Sequence, residues 1–104
     1  MFSEEEGETI KVIDFGTSEQ YDPSKSLNQQ FGTYYYMAPE VLSGSYDARC
    51  DLWSVGAIMY VLLTGCVPYS GENDEEIKAK VKKGKYRTSL NSFTILSSDA
   101  KDLI

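Results

Sequence analysis

Three groups of residues in this 104-residue chain are of types that can do chemistry: Asp14-Phe15-Gly16, the run from Gly32 to Glu40 with three adjacent tyrosines, and the basic cluster from Lys78 to Arg87. Taken alone, Asp14 is an aspartate that ends a strand and caps a turn. A given tripeptide of this kind arises by chance in roughly 1–2% of chains this long. Tyr34, Tyr35 and Tyr36 could offer a stacking platform to nucleic-acid bases. Against that, 16 acidic residues outnumber 10 basic ones, and a net charge of −6 gives no general grip on nucleic acid or anionic lipid. The lysines follow the acidic stretch Glu72 to Glu76 and form either a solvated helix face or a docking surface for another protein.

Composition removes further chemistry. With no histidine there is no Ser-His-Asp or Cys-His nucleophile pair and no His-ligated zinc within these residues. Cys50 and Cys66 are too few for a disulfide framework or a zinc knuckle, and are expected as small packing residues of a reduced, cytoplasmic protein. Met1 to Glu8 carry four glutamates and no basic n-region, so no targeting signal is expected. The most apolar stretch, Leu52 to Leu63, falls short of the roughly 20 residues that span a bilayer. No membrane partner is expected.

The elements that must position these residues are mostly helical. Thr9 to Ile13 is β-branched and predicts a short strand. Thr17 to Gly32 is polar and aperiodic, with a turn at Asp22-Pro23-Ser24; a loop of that length is either functional or disordered. A short helix is expected from Pro39 to Leu42. Asp51 to Thr64 is apolar on nearly every face and predicts a helix enclosed by other structure, with Gly65 as its stop. Asn73, three residues before Glu76, predicts the start of a helix with acid in its first turn and lysines in its last. Ser97 or Ser98 is expected to cap a final helix.

The order of these features carries more than any one of them. Asp14-Phe15-Gly16 closes a hydrophobic strand and is followed by a polar loop. Gly32-Thr33-Tyr34-Tyr35-Tyr36-Met37-Ala38-Pro39-Glu40 comes next, and Asp51-Leu52-Trp53-Ser54-Val55-Gly56 opens an apolar helix. This resembles the C-terminal lobe of a eukaryotic protein kinase, whose activation segment runs from Asp-Phe-Gly to Ala-Pro-Glu. The resemblance covers about residues 10–104. The Gly-Thr-x-x-Tyr-x-Ala-Pro-Glu form is similar to Ser/Thr kinases. The wording at residues 13–18, 46–54 and 74–77 is similar to calcium-dependent and calmodulin-dependent kinases.

The resemblance implies a role for each matching residue. Asp14 would hold the Mg²⁺ that bridges the ATP β- and γ-phosphates, with Phe15 packing between lobes and Gly16 allowing a turn with positive φ. Thr33 would orient the catalytic aspartate. Tyr34 and Met37 would line the pocket for the substrate residue after the phosphoacceptor, although Tyr34 is bulkier than the usual residue there. Glu40 would pair with an arginine further along the lobe, a position that Arg49 does not occupy. Asp51 would accept hydrogen bonds from the catalytic-loop backbone, and Trp53 and Gly56 would serve the scaffold. Where many kinases carry a phosphorylated threonine, four residues before Thr33, this chain has Gln29. By resemblance the loop would be ordered without phosphorylation.

Phosphoryl transfer also needs a Gly-rich loop, a strand lysine and a His-Arg-Asp loop, and residues 1–104 contain none of them. The expected fold is therefore mainly α with a short β element at the N-terminus: an incomplete protein-kinase-like C-terminal lobe. Residues 1–104 would be part of one kinase domain, with the activation segment at 14–40 and truncation at both ends. The implied activity is transfer of the ATP γ-phosphate to protein Ser/Thr, with ATP and Mg²⁺ as cofactors of the complete kinase and an inactive chain on its own. A regulatory calcium-binding region would lie elsewhere in the parent, since no EF-hand pattern occurs here. The alternative is a non-catalytic kinase-like interaction or decoy module. A partial lobe is further expected to bind the dye ANS and to show weak near-UV circular dichroism.

Overall fold

The computed structural model describes residues 9–104. Met1 to Glu8, the acidic stretch in which no targeting signal is expected, lie outside them. Helices dominate from Pro39 onward: α1 (Pro39–Ser43), α2 (Cys50–Thr64), α3 (Asp74–Lys83), α4 (Asn91–Thr94) and α5 (Ser98–Leu103), preceded by a 3₁₀ turn at Tyr34–Tyr36. Among the described residues no helix is long and apolar enough to cross a membrane.

Local chemistry sets most of these boundaries. Pro39 occupies the first position of α1, where its missing N–H costs nothing, and Gly44 ends the helix at φ 88°. The α2 helix starts one residue earlier than expected, because an Asp47 turn feeds directly into it: the Asp47 carbonyl accepts from Cys50 N at 3.2 Å. Gly65 stops α2 at φ 75°, its N–H donating to the Val61 carbonyl at 2.8 Å. At the start of α3 the Asn73 side chain accepts from Glu76 N at 3.0 Å, and the Glu76 carboxylate reaches back to Glu72 N at 2.9 Å. One donor that the helix leaves unpaired, Glu76 N, is thus satisfied, along with the Glu72 N–H just before the cap. Ser97, the first of the two candidates, caps α5 by accepting from Ala100 N at 3.2 Å.

The β content is smaller than the Thr9–Ile13 pattern predicts. Ile10 is a single bridge residue, and the only other bridge among the described residues is antiparallel, between Leu27 and Tyr46. Ile10, Val12 and Ile13 are largely exposed.

The core is divided. Met37, Ala38 and Val41 form one cluster, and Tyr69, Ile77 and Val81 a second. Tyr34, Leu42 and Trp53 pack against both, and the Trp53 and Tyr69 rings stack at 6.1 Å with planes 10° apart. Further along α2, the fully buried Tyr60 meets Tyr86 edge-on at 5.7 Å and Phe93 at 5.9 Å. The enclosure expected for α2 is incomplete. Ala57 and Tyr60 are buried, while Leu52 is 71% exposed, Val55 60% and Leu62 79%. The 3₁₀ turn and α4 are its main helical neighbours among the described residues, and two short elements cannot cover every face of a 15-residue helix.

Candidate functional site

The first candidate residues sit on a turn. Asp14 has φ 65° and is the only non-glycine residue in the left-handed region among the described residues. The sequence places positive φ at Gly16; the structure moves it to Asp14, whose short polar side chain tolerates it better than most L-residues. The Asp14 carboxylate accepts from Gly16 N at 3.4 Å, so part of the carboxylate stabilises its own turn. Ser18 donates to the Phe15 carbonyl through both N, at 3.1 Å, and Oγ, at 2.5 Å. Phe15 is 67% exposed. A left-handed aspartate costs of order 1 kcal/mol or more and persists where the surroundings hold it, a pattern that concentrates at functional sites.

The second feature is a cleft of about 350 Å³ between the polar loop and the start of α2. Thr33, Met37 and Asp51 line it, together with Tyr36, Cys50 and Ser54. Ser54 holds one wall in place by donating to the Tyr36 carbonyl at 2.8 Å. Thr33 immediately precedes the 3₁₀ turn; its carbonyl accepts from Tyr36 N at 3.1 Å and its side chain makes no cap, which leaves the hydroxyl unused by the turn. Met37 is buried, whereas Asp51 is exposed in the first turn of α2, where the helix dipole favours a negative charge. Cys50 has its thiol pushed up to about 11 by burial, with the adjacent Asp51 carboxylate adding to the effect. A thiol so far from ionisation is no nucleophile at neutral pH, in keeping with a packing residue.

The remaining candidates lie elsewhere. Tyr34 packs against both core clusters, and Lys78 Nζ sits 4.4 Å from its ring centroid while pairing with Glu75 at 2.9 Å. Glu40 shares a polar groove with Arg49, but Arg49 is bound by Asp47 at 2.7 Å, and that guanidinium holds the Asp47 carboxyl below its ordinary range. Trp53 bridges the two core clusters. A Cβ on Gly56 would lie 3.6 Å from the Ile104 carbonyl, an ordinary contact. The cleft therefore unites Thr33, Met37 and Asp51, and leaves Asp14, Tyr34 and Glu40 outside its lining. Tyr46, to which the sequence assigned no role of its own, stands with Tyr21 at the edge of both grooves, and its hydroxyl donates to the Gln29 carbonyl. Its signals in the sequence are the Ser-Gly-Ser break before it and its place at the head of the 46–54 stretch, and neither says anything of a bond 17 residues away.

Among the described residues no three His, Cys, Asp or Glu side chains gather to hold a metal ion. Asp14 fits a cation only as a lone carboxylate ligand. That is the pattern of Mg²⁺, which takes one or two carboxylates and completes its shell with phosphate oxygens and water.

Comparison with known proteins gives the arrangement its context. Calcium-dependent protein kinase 4 of Plasmodium berghei (strain Anka), and the protein of the same name from Plasmodium falciparum (isolate 3D7), are each 50% identical to this chain over 95 residues. The aligned region is 91% of this chain and 18% of each relative. Calcium-dependent protein kinase 5 of Plasmodium falciparum is 46% identical over 99 residues, 95% of this chain and 17% of that protein. The chain thus spans less than a fifth of the length of these curated relatives. The family model described as protein kinase domain matches residues 1–104, the same stretch in which the Asp14 turn, the Thr33 cleft and the α2 helix follow one another. By that match, and by identity of about half its residues to named kinases, this chain belongs to the protein kinase domain family.

Proposed function

We propose that these residues are the substrate-side part of a protein serine/threonine kinase that transfers the γ-phosphate of ATP to protein Ser/Thr, and that residues 14–40 are its activation segment. The observation that carries this is the cleft where Thr33, Met37 and Asp51 meet at the start of α2, downstream of an exposed left-handed Asp14. Asp14 would be one carboxylate ligand of Mg²⁺, which when bound screens the charge of the ATP phosphates. Thr33 presents a hydroxyl free of the turn, suited to orienting a catalytic carboxylate that residues 1–104 do not contain. Met37 forms an apolar wall on which a substrate side chain can rest. Tyr34 is turned toward Lys78 and the core, so its part in that wall is indirect.

The 104 residues alone are proposed to be inactive. A lone Asp14 carboxylate, without a strand lysine or a Gly-rich loop, leaves the phosphates largely uncompensated. Control by calcium, which the relatives' names carry, is proposed for a longer protein that contains this chain.

The test begins with the coding sequence upstream of Met1. A frame that continues into His-Arg-Asp and Gly-rich motifs should yield a product that phosphorylates Ser/Thr peptides with Mg²⁺-ATP, and Asp14→Asn should lower its kcat at least 100-fold. A product that modifies only tyrosine, or whose rate ignores Asp14→Asn, would refute the proposal. Transfer by the 104-residue chain alone would refute the inactivity.

A further inference from the structure

Residues 14–33 make several hydrogen bonds within the segment, and among the described residues the long-range hydrogen bonds that leave it run to Ser45 and Tyr46. Leu27 N donates to the Tyr46 carbonyl at 2.8 Å and Tyr46 N to the Leu27 carbonyl at 3.0 Å. Ser26 and Ser45 share a hydroxyl hydrogen bond at 2.7 Å, and Ser26 Oγ lies 3.4 Å from the Tyr46 carbonyl. The Tyr46 hydroxyl reaches furthest, donating to the Gln29 carbonyl. Its ring packs on the cluster of Met37, Ala38 and Val41, so this contact is anchored in the core. The hydrogen bonds of the turns at Phe15–Ser18 and Asp22–Ser24 are local.

We propose that Tyr46 is a positioning residue: it latches the 26–29 stretch to the start of the α1–α2 connection and thereby sets the place of the loop that walls the Thr33 cleft. The latch grips the backbone of Gln29, the residue four before Thr33. A hydroxyl on a core-anchored ring here supplies, by a neutral hydrogen bond to the main chain, the fixed point that a charged group on this segment would otherwise need arginine partners to make. Order of the segment then rests on neutral hydrogen bonds, and loss of the Tyr46 hydroxyl loosens it while the Leu27–Tyr46 backbone pair and the Ser26–Ser45 bond remain. The inference rests on the proposed kinase reading only where it calls 14–40 an activation segment; the latch itself is a property of this chain.

Hydrogen exchange followed by NMR on the 104-residue chain tests it. The Leu27 and Tyr46 amides report the latch, and the Ile77 and Val81 amides in α3 report global opening. Tyr46→Phe keeps the ring on its cluster and removes the one donor. Exchange at residues 27 and 46 should quicken about fivefold, the factor for loss of one hydrogen bond worth ~1 kcal/mol, with α3 unchanged. Leu27→Pro removes the N–H on the other strand without touching Tyr46, and should quicken the Tyr46 amide in the same local way. If exchange at both positions is unchanged in Tyr46→Phe, or if α3 quickens in step with them, the latch is refuted. Should Tyr46→Phe not fold, Leu27→Pro decides alone. A longer product without Ser/Thr kinase activity would overturn the proposed function and leave these exchange rates as they are.

Discussion

Replacing Tyr60 separates two contributions that meet at the same buried position. Its ring touches Tyr86 and Phe93, and its hydroxyl donates to the Arg87 carbonyl at 2.6 Å, fastening the segment after α3 to the middle of α2. Tyr60→Phe keeps both ring contacts. It removes a hydrogen bond whose acceptor belongs to an exposed residue, so water can take the donor's place, and the expected cost is about 1 kcal/mol. Tyr60→Ala removes the ring as well. Emptying an aromatic site costs about 3–5 kcal/mol, and the lost aromatic pairs account for about 0.5–1.5 kcal/mol each within such figures. For a chain of this size each ~1 kcal/mol lowers Tm by about 4–8 °C. Urea titration followed by far-UV circular dichroism gives both values from midpoint and slope. Equal losses in the two variants would show that the hydroxyl, and not the rings, holds this region. A loss below about 1 kcal/mol in Tyr60→Ala would show that the aromatic cluster holds nothing.

Other expectations are narrower. Asn73→Ala should cost about 1 kcal/mol by orphaning Glu76 N at the start of α3, and Asn73→Asp should restore nearly all of it; urea titration distinguishes them. On the alkaline side, Cys50 keeps its proton in the folded chain up to about 11 but releases it near 9.0 when unfolded. Stability should therefore fall as pH rises through that window, with Tyr60 and Tyr69, also raised by burial, acting the same way at higher pH. Cys50→Ala should flatten the first part of that decline. On the acid side Asp47, Glu75 and Glu76, each held below its ordinary value by a cationic partner, should lose their stabilising pairs as pH falls below about 4, with α3 helicity falling first.

How much was legible in the sequence varied with the range of the interaction involved. The α3 cap, the glycine stop after α2 and the Ser97 cap depend on residues within four positions of one another, and short-range chemistry is written in short-range sequence. The ordered motifs identified the family for the same reason. The 3₁₀ turn at Tyr34–Tyr36 and the four-residue α4 are too short for any periodicity to show, and what makes α4 matter is Phe93 meeting Tyr60 more than 30 residues away. The β-branched run at Thr9–Ile13 speaks to residue type alone, and among its described residues only Ile10 is a bridge residue. For the candidate site, the family resemblance singled out Thr33, Met37 and Asp51, which line one cleft. The left-handed residue at Asp14 instead of Gly16, the half-buried Tyr34 beneath Lys78 and the hydrogen bonds at Tyr46 are matters of tertiary placement.

Trp53 is the single tryptophan of the chain, and it lies where the two core clusters adjoin. Nature has thus placed one fluorophore on the seam of the molecule, stacked on Tyr69 from one cluster and resting on residues of the other. Its emission is a built-in gauge of whether the halves melt together. A single red shift coincident with loss of helicity means one cooperative unit; an early shift with helicity retained means that the seam opens before either side unfolds.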